Sequence, residues 1–515
     1  MSASPPAQRA GRLLPPALLI VLAGVAWGFT LRMPFTGVDI WPILAQAKAT
    51  LADPSILFTQ RYLEGLWEGA RFWRPGLTAY TALQYAILAD HPFGYHLLRL
   101  VLLIVTAALA GTLATRCGAA PRLAWTVAAL VYALHPLQAE TVPVTSRDAD
   151  TLATALVLGT LVALTGPEPS GRGRLALGVL LALLAPTVKE PALLAPLLGI
   201  FALEPWRARP GRRAAAAASA VLAAGLVAHL LYRLSLLGTI GRYEHDLPLS
   251  MGETVRELAA GLFDHQRWGL APIAAALLGA AFLLWLVLQR AGLTTAPAPG
   301  WAAVRRSCAI WLVLGTASFL AAPVFRLRYG EGLLAPLAVF AGAGAAAALL
   351  AARAVVDDHS MPGAALRRAP AFLLVLGLGV ALLPGTPLVW SYPQWEMAGR
   401  AAESVLKVTG ETVNAAFDAK GRAEGRVGRF QVVAEAVGPS SAIALIEPFP
   451  AQPAEPQRPF SGRTANVMIL ARYAVQSYLQ LAHGRPVGSV QVAEGNPLLG
   501  VKPQDLGADV TVPGY

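Results

Sequence analysis

Charge is what this sequence lacks. Of its 515 residues only 14% are charged, against 55% hydrophobic, whereas soluble domains carry about 25% charged residues. The mean hydropathy is +0.53. A chain so poor in charge and so rich in apolar runs is a polytopic membrane protein for most of its length. Cysteine is equally scarce. Cys117 and Cys308 each sit at the edge of an apolar run, which excludes a disulfide framework and any cysteine-based metal spacing. No internal repeat is visible, an absence that weakens a transporter reading. The net charge of +11 would suggest nucleic acid in a soluble protein. Here the surplus is arginine in short loops between spans, so it reports topology, and no nucleic-acid partner is expected.

A bilayer-crossing helix needs about 20 mostly apolar residues. By that measure the spans fall at 13–31, 93–115, 123–143, 149–165, 174–188, 191–206, 213–232, 270–289, 307–324, 332–352 and 370–390. The first lacks a small-residue cleavage site after it and reads as an anchor. Segment 75–90, PGLTAYTALQYAILAD, is short and interrupted by Thr78, Thr81, Gln84 and Tyr85. Counting it as a span would move the arginine-rich loops to the outside. Leaving it out puts Arg9/Arg12, Arg116/Arg122, Arg172/Arg174, Arg207/Arg209/Arg212/Arg213, Arg290/Arg305/Arg306 and Arg353/Arg367/Arg368 inside, as the positive-inside rule asks. The expected architecture is therefore an α-helical membrane protein of about eleven spans. It has a cytoplasmic tail (1–12), a transmembrane domain (13–390) whose first outer loop (32–92) carries an interfacial helix (75–90), and an extracytoplasmic α/β domain (391–515).

On this topology the polar groups gather at one end. Residues 135–150, HPLQAETVPVTSRDAD, face outward, as do Lys189-Glu190, loop 233–268 and Arg326–Glu331. Arg99, His135, Glu140 and His229 sit at the outer ends of their spans. Ionisable groups in a membrane are costly and mark function; convergence on one face points to a reaction site there. Residues 391–515 mix an amphipathic stretch, EMAGRAAESVLKV, with strand-like runs SAIALIEPF and SVQVAEG, and show no catalytic signature.

Five pieces carry a family resemblance: FTGVDIWPI (35–43), FWRPGLTAY (72–80), HPFGYHLLRL (91–100), ALHPLQAETVPVTSRDADTLA (133–153) and PTVKEP (186–191). In this order they resemble the GT-C glycosyltransferases, and most nearly the protein O-mannosyltransferase-like branch, without the tetratricopeptide repeats some members carry. The resemblance covers roughly the first 200 residues. It implies a polyprenyl-phosphate-linked sugar donor, membrane lipids as surroundings, and a protein, glycan or lipid acceptor at the outer face of a bacterial inner membrane. No cofactor and no metal are implied, since a lipid-phosphate donor needs no metal to bridge a diphosphate.

The family's acidic pair beyond the first span falls here on Val38 and Asp39, so one acid is missing. Asp39 is the candidate catalytic base, with Glu64, Glu68 or Glu140 as helpers; the competing role is an N-cap for IWPILAQAKATLA. Arg74, Arg147, Lys189 and Arg328 are the candidate donor-phosphate ligands, against plain snorkelling to headgroups. Glu140 and His135 are candidates for sugar or acceptor contact, with Glu190 and Glu64 in support. Asp148 is expected to orient Arg147, and Asp150 to cap the next helix rather than complete a metal-binding DxD. The outer-loop aromatics Trp41, Tyr62, Trp67, Phe72 and Trp73 are expected mostly to anchor at the headgroups. Two rivals stand beside the transferase: a flippase for a lipid-linked sugar, and a degenerate scaffold.

Overall fold

The computed structural model describes residues 6–35, 39–65, 70–118, 120–166, 171–206, 211–239, 242–243, 252–253, 255–256, 300–321, 330–357, 392–427, 430–438, 441–448, 472–485 and 487–492. Val38, Trp67, Glu68, Arg328 and the expected spans at 270–289 and 370–390 lie outside these residues. The helices in chain order are α1 (Pro6–Trp27), α2 (Ile40–Ala52), the single turn α3 (Ile56–Thr59), α4 (Pro75–Leu88), α5 (Pro92–Ala114), α6 (Pro121–Leu134), α7 (Asp148–Leu164), α8 (Arg172–Leu184), α9 (Leu194–Leu203), α10 (Arg212–Leu237), α11 (Trp301–Ala321), α12 (Glu331–Asp357), α13 (Tyr392–Ala419) and α14 (Arg472–His483). Leu14–Arg32, Pro92–Cys117 and Arg212–Leu237 are long and apolar enough to cross a membrane.

Proline sets several boundaries. α4, α5 and α6 each begin on one, where the missing N–H costs nothing and φ is already helical. Pro136 does the opposite. It forces His135 into an extended conformation, φ −57° and ψ 133°, because a residue before proline is disfavoured in the helical region. The span expected at 123–143 therefore stops at Leu134. It gives way to 3-10 turns at Pro136–Glu140 and Thr145–Arg147 before α7 starts at Asp148. Likewise 191–206 opens with the 3-10 turn Glu190–Leu193 and becomes regular helix only at Leu194.

α4 is a separate short helix whose sidedness is inverted relative to a soluble one. Leu83 and Ile87 point outward, while Thr78, Thr81 and Gln84 are buried. That is the distribution of a helix with lipid on one side and a polar interior on the other.

Close packing rests on alanine and glycine. A Cβ at Gly342 of α12 would stand 2.3 Å from the Ala124 carbonyl oxygen of α6, and one at Gly111 of α5 would stand 2.8 Å from the Trp125 carbonyl oxygen. Small residues let these backbones approach, the usual basis of helix association in lipid. The Trp27 indole ties α1 to α6 by donating to the Ala133 carbonyl at 2.8 Å. At the C-terminal end of α7, Arg116 donates to the Val162 carbonyl at 2.7 Å and Arg174 to the carbonyls of Val162 and Ala163 at 3.3 Å. Cations there suit the negative end of the helix.

Residues beyond 392 form a layer of α13 and α14 on a four-stranded sheet, β3 (Arg422–Val427), β4 (Phe430–Gly438), β5 (Ser441–Pro448) and β6 (Val487–Val492), in that order. The first three pair antiparallel; β6 runs parallel to β5, reached through α14. A two-stranded pair, β1 (Ala70–Arg71) with β2 (Arg242–Tyr243), joins the segment between α3 and α4 to the segment after α10.

Gly342→Val should destabilise the bundle by about 1–3 kcal/mol through overpacking against Ala124 and Ala128. Thermal unfolding in detergent measures this; an unshifted transition would mean α6 and α12 are not in close backbone contact.

Candidate functional site

The irregular stretch that Pro136 creates, together with the starts of α4, α7 and α9's 3-10 turn, gathers the polar groups of the bundle at one end. His135 serves this turn. Its Nδ1 accepts from the Leu137 backbone N–H at 3.1 Å, which shapes the turn. Glu140 ends the same turn, and its side chain lies outside the described residues.

Three ionic groups follow. In the first, Glu190 receives Arg74 through Nε at 3.2 Å to both oxygens and through Nη2 at 2.6 Å. Arg233 of α10 closes on its other oxygen at 2.5 Å. Arg74 is also stacked, its guanidinium 4.3 Å from the Phe72 ring centre and 5.2 Å from that of Tyr62. Burial alone would raise the Glu190 pKa. The two guanidiniums outweigh it and hold the carboxyl down at about 2. In the second group Lys189 pairs with Asp150.

The third group is wholly buried. Arg99 faces Asp148 at 3.7 Å and Glu331 at 3.9 Å. The second oxygen of each acid is taken by neutral donors. Tyr80 and Gln84 of α4 donate to Asp148 at 3.2 and 3.1 Å, and Tyr132 and Thr151 donate to Glu331 at 2.8 and 2.5 Å. Arg147, itself buried, lies between the Pro136 turn and Asp148, at the head of α7.

Asp39 stands immediately before α2, at the N-cap position, yet its side chain makes no capping hydrogen bond. The capping role is thereby set aside. Tyr62 is buried, and burial pushes its phenol up in pKa; Arg74 pulls it down, and Asp39 and Glu190 add to the rise. The Arg74 guanidinium lies 5.2 Å from the Tyr62 ring centre.

Several expectations change. Asp150 is not a cap: Arg147 occupies the N-cap of α7 without a side-chain cap, and Asp150 lies within the first turn, bonded to Lys189. Asp148 takes Arg99, Tyr80 and Gln84 as its partners. With each acid of the Asp-Ala-Asp held by a different cation, the pair does not converge on one ion. Glu64 is exposed and accepts from the Arg61 backbone N–H at 2.7 Å, closing a local turn. Tyr62, Phe72 and Trp73 are buried instead of lying at headgroups. Trp73 packs on His229 and Tyr232, and Tyr62 and Phe72 on Arg74. Arg233 and Glu331 carried no assigned role in the sequence, and Arg99 was noted only as an ionisable residue at a span end. A lone arginine inside an apolar run is the one signal that marks Arg99.

No protein-family model and no curated protein sequence matches the chain. Solved structures do. Apo ArnT from Cupriavidus metallidurans superposes with a TM-score of 0.50 at 16% identity, over 79% of this chain and 81% of that one. Its crystal structure bound to undecaprenyl phosphate gives 0.48 at 14%, over 96% and 89%. The apo oligosaccharyltransferase of Archaeoglobus fulgidus gives 0.50 at 14%, over 79% of this chain and 59% of its own. The fold is that of the GT-C glycosyltransferases. At such identity the GT-C likeness speaks for the arrangement of the helices alone, and the chemistry has to be argued from the side chains.

The Glu190 clamp has a pH signature. Its folded pKa is depressed from 4.5 to about 2, so its contribution to stability is complete above pH 4.5 and is lost as pH falls toward 2. The difference in melting temperature between wild type and Glu190→Gln should shrink through that window. Curves that stay parallel throughout it would show that the clamp contributes nothing. Glu190→Ala, which removes the carboxylate shared by two buried guanidiniums, should cost about 3–5 kcal/mol.

Proposed function

We propose that this protein is a membrane glycosyltransferase that moves a sugar from a polyprenyl-phosphate donor to a hydroxyl-bearing acceptor at the outer face of a bacterial inner membrane. In this orientation the N-terminus is cytoplasmic and the unit beyond 392 extracytoplasmic. The observation that supports the reading is a guanidinium and an acid beside one buried phenol: Arg74 lies 5.2 Å from the Tyr62 ring centre, and Asp39 adds to the rise in the Tyr62 pKa. Transfer from a lipid phosphate needs that combination of a base on the acceptor side and a cation on the leaving-group side.

The step runs as follows. Asp39 takes the proton of the acceptor hydroxyl as its oxygen bonds to the anomeric carbon. The bond from that carbon to the phosphate oxygen breaks, and the lipid monophosphate departs with one more negative charge. Arg74 and Arg147, with Lys189 and Arg328 in support, stabilise the charge that builds. Arginine's planar fork suits phosphate oxygens. In Arg74 the fork is held in plane by Glu190 and by the Phe72 face, so little ordering remains to be done when an anion arrives. The lipid tail would lie along the outward apolar side of α4, whose polar residues face the interior.

Residues 133–153 favour the O-mannosyltransferase-like branch, and protein glycosylation or envelope modification as the setting. A flippase would want its charges near the midplane; here they collect at the helix ends.

Asp39→Asn should insert and fold normally while losing transfer by roughly 10²–10⁴-fold, assayed in membranes supplied with lipid-linked donor. Normal turnover would remove Asp39 from the mechanism and favour the scaffold reading. Arg147→Ala should raise the donor KM by roughly tenfold or more. A change in protein abundance with unaltered KM would assign Arg147 to the architecture.

A further inference from the structure

Asp39 is the residue that opens α2, so the placement of its carboxylate follows how α2 is held. What holds α2 comes from the far end of the chain. The Trp41 ring, two residues after Asp39, meets the Tyr478 ring of α14 edge-on, with centroids 4.8 Å apart and planes at 71°. Trp41 also meets Phe35 at 5.4 Å, and Phe35 meets Tyr95 at 5.2 Å. Leu481, one turn along α14, packs on the buried cluster of Phe35, Ile40, Leu44 and Tyr95.

Tyr478 is itself fixed. Its ring abuts His483 at 5.5 Å, and His483 Nδ1 is hydrogen-bonded to the Asn414 side-chain amide of α13 at 3.0 Å. A second contact runs beside the first. Met33 and Val144 fall into the same buried cluster as Val405, Val408, Val475 and Leu479 of the C-terminal unit. Met33 precedes Asp39 by six residues and Val144 precedes Arg147 by three. The two loops carrying the proposed base and the proposed phosphate ligand are therefore both built into the hydrophobic core of the α/β layer.

We infer that the C-terminal unit is a clamp acting in cis on the reaction site, and that Tyr478 is a positioning residue for Asp39 through its contact with Trp41. This rests on the catalytic reading of Asp39 given above. The unit is then a working part of the transferase and not a module appended to it. An edge-to-face aromatic pair contributes enough to bias a helix terminus without deciding the fold.

The test uses the full chain in lipid nanodiscs and two readouts, steady-state transfer and amide hydrogen exchange. Tyr478→Ala should speed exchange across residues 40–47 by roughly three- to tenfold and leave α5 unchanged. The same variant should lower kcat by a similar factor with the donor KM within about twofold, because the phosphate ligands are untouched. Tyr478→Phe, which keeps the ring, should restore both. If Tyr478→Ala unfolds the sheet, seen as fast exchange across residues 430–448, Trp41→Leu removes the same contact from the other side and should give the same pair of changes. Lost activity with unaltered α2 exchange overturns the clamp. So does a fall in donor affinity with kcat preserved. Faster α2 exchange in a protein whose Asp39→Asn variant turns over normally would keep the mechanical clamp and overturn only the catalytic role of Asp39.

Discussion

A charge removed from water inside an apolar bundle must find an opposite charge or neutral donors, and one end of this bundle is built around that requirement. Arg74, Lys189, Arg99 and Arg233 are buried, and each faces at least one carboxylate. The partners come from different elements, so satisfying the charges also fixes the helices. Arg99 and Glu331 link α5 to α12; Asp148 links α7 to α4 through Tyr80 and Gln84; Glu190 links the start of α4 to α10. The groups are not alike. Two guanidiniums share the carboxylate of Glu190 in the first, and one guanidinium lies between the carboxyls of Asp148 and Glu331 in the third. The Arg74 group adjoins Tyr62; the Arg99 group is enclosed among α4, α5, α6, α7 and α12.

Much of the helix pattern was legible because hydropathy and proline act locally. The starts of α4, α5 and α6 coincide with prolines at 75, 92 and 121. The polar interruptions Thr78, Thr81 and Gln84 fall on the buried side of α4. Apolar content alone runs the third span on to 143, whereas the constraint Pro136 puts on His135 ends it at Leu134. Candidate site residues were legible as a run of motifs. Their partners were not: Glu331 reaches Tyr132 and Thr151 across 199 and 180 residues of sequence, and Arg74 reaches Glu190 across 116. Nothing local in the sequence encodes a pairing at that separation. The same holds for the aromatics. Composition alone cannot distinguish a ring at a headgroup from one packed on a guanidinium, as Phe72 is on Arg74.

A shared fold at 14–16% identity means that a similar arrangement of helices is reached with almost entirely different side chains. Function then has to be read from the few polar positions that the bundle cannot bury cheaply. In this chain they are grouped by the break after α6, which the C-terminal layer grips through Val144, by the Lys189-Glu190 turn before α9, and by the segment between α1 and α4, which it grips through Met33 and Trp41. The α/β layer meets the bundle through two buried clusters, one holding Met33 and Val144 and one holding Phe35 and Ile40, with Trp41 packed against both.

The most direct measurement of the central claim is photo-crosslinking with a polyprenyl monophosphate that carries a diazirine on its first isoprene unit, followed by mass-spectrometric mapping of the adducts. If the charged end of the bundle receives a lipid phosphate, adducts fall on residues 72–80 and 144–150 and are competed by unlabelled polyprenyl phosphate. Adducts confined to the opposite end, around residues 116–122 and 172–175, would contradict the account.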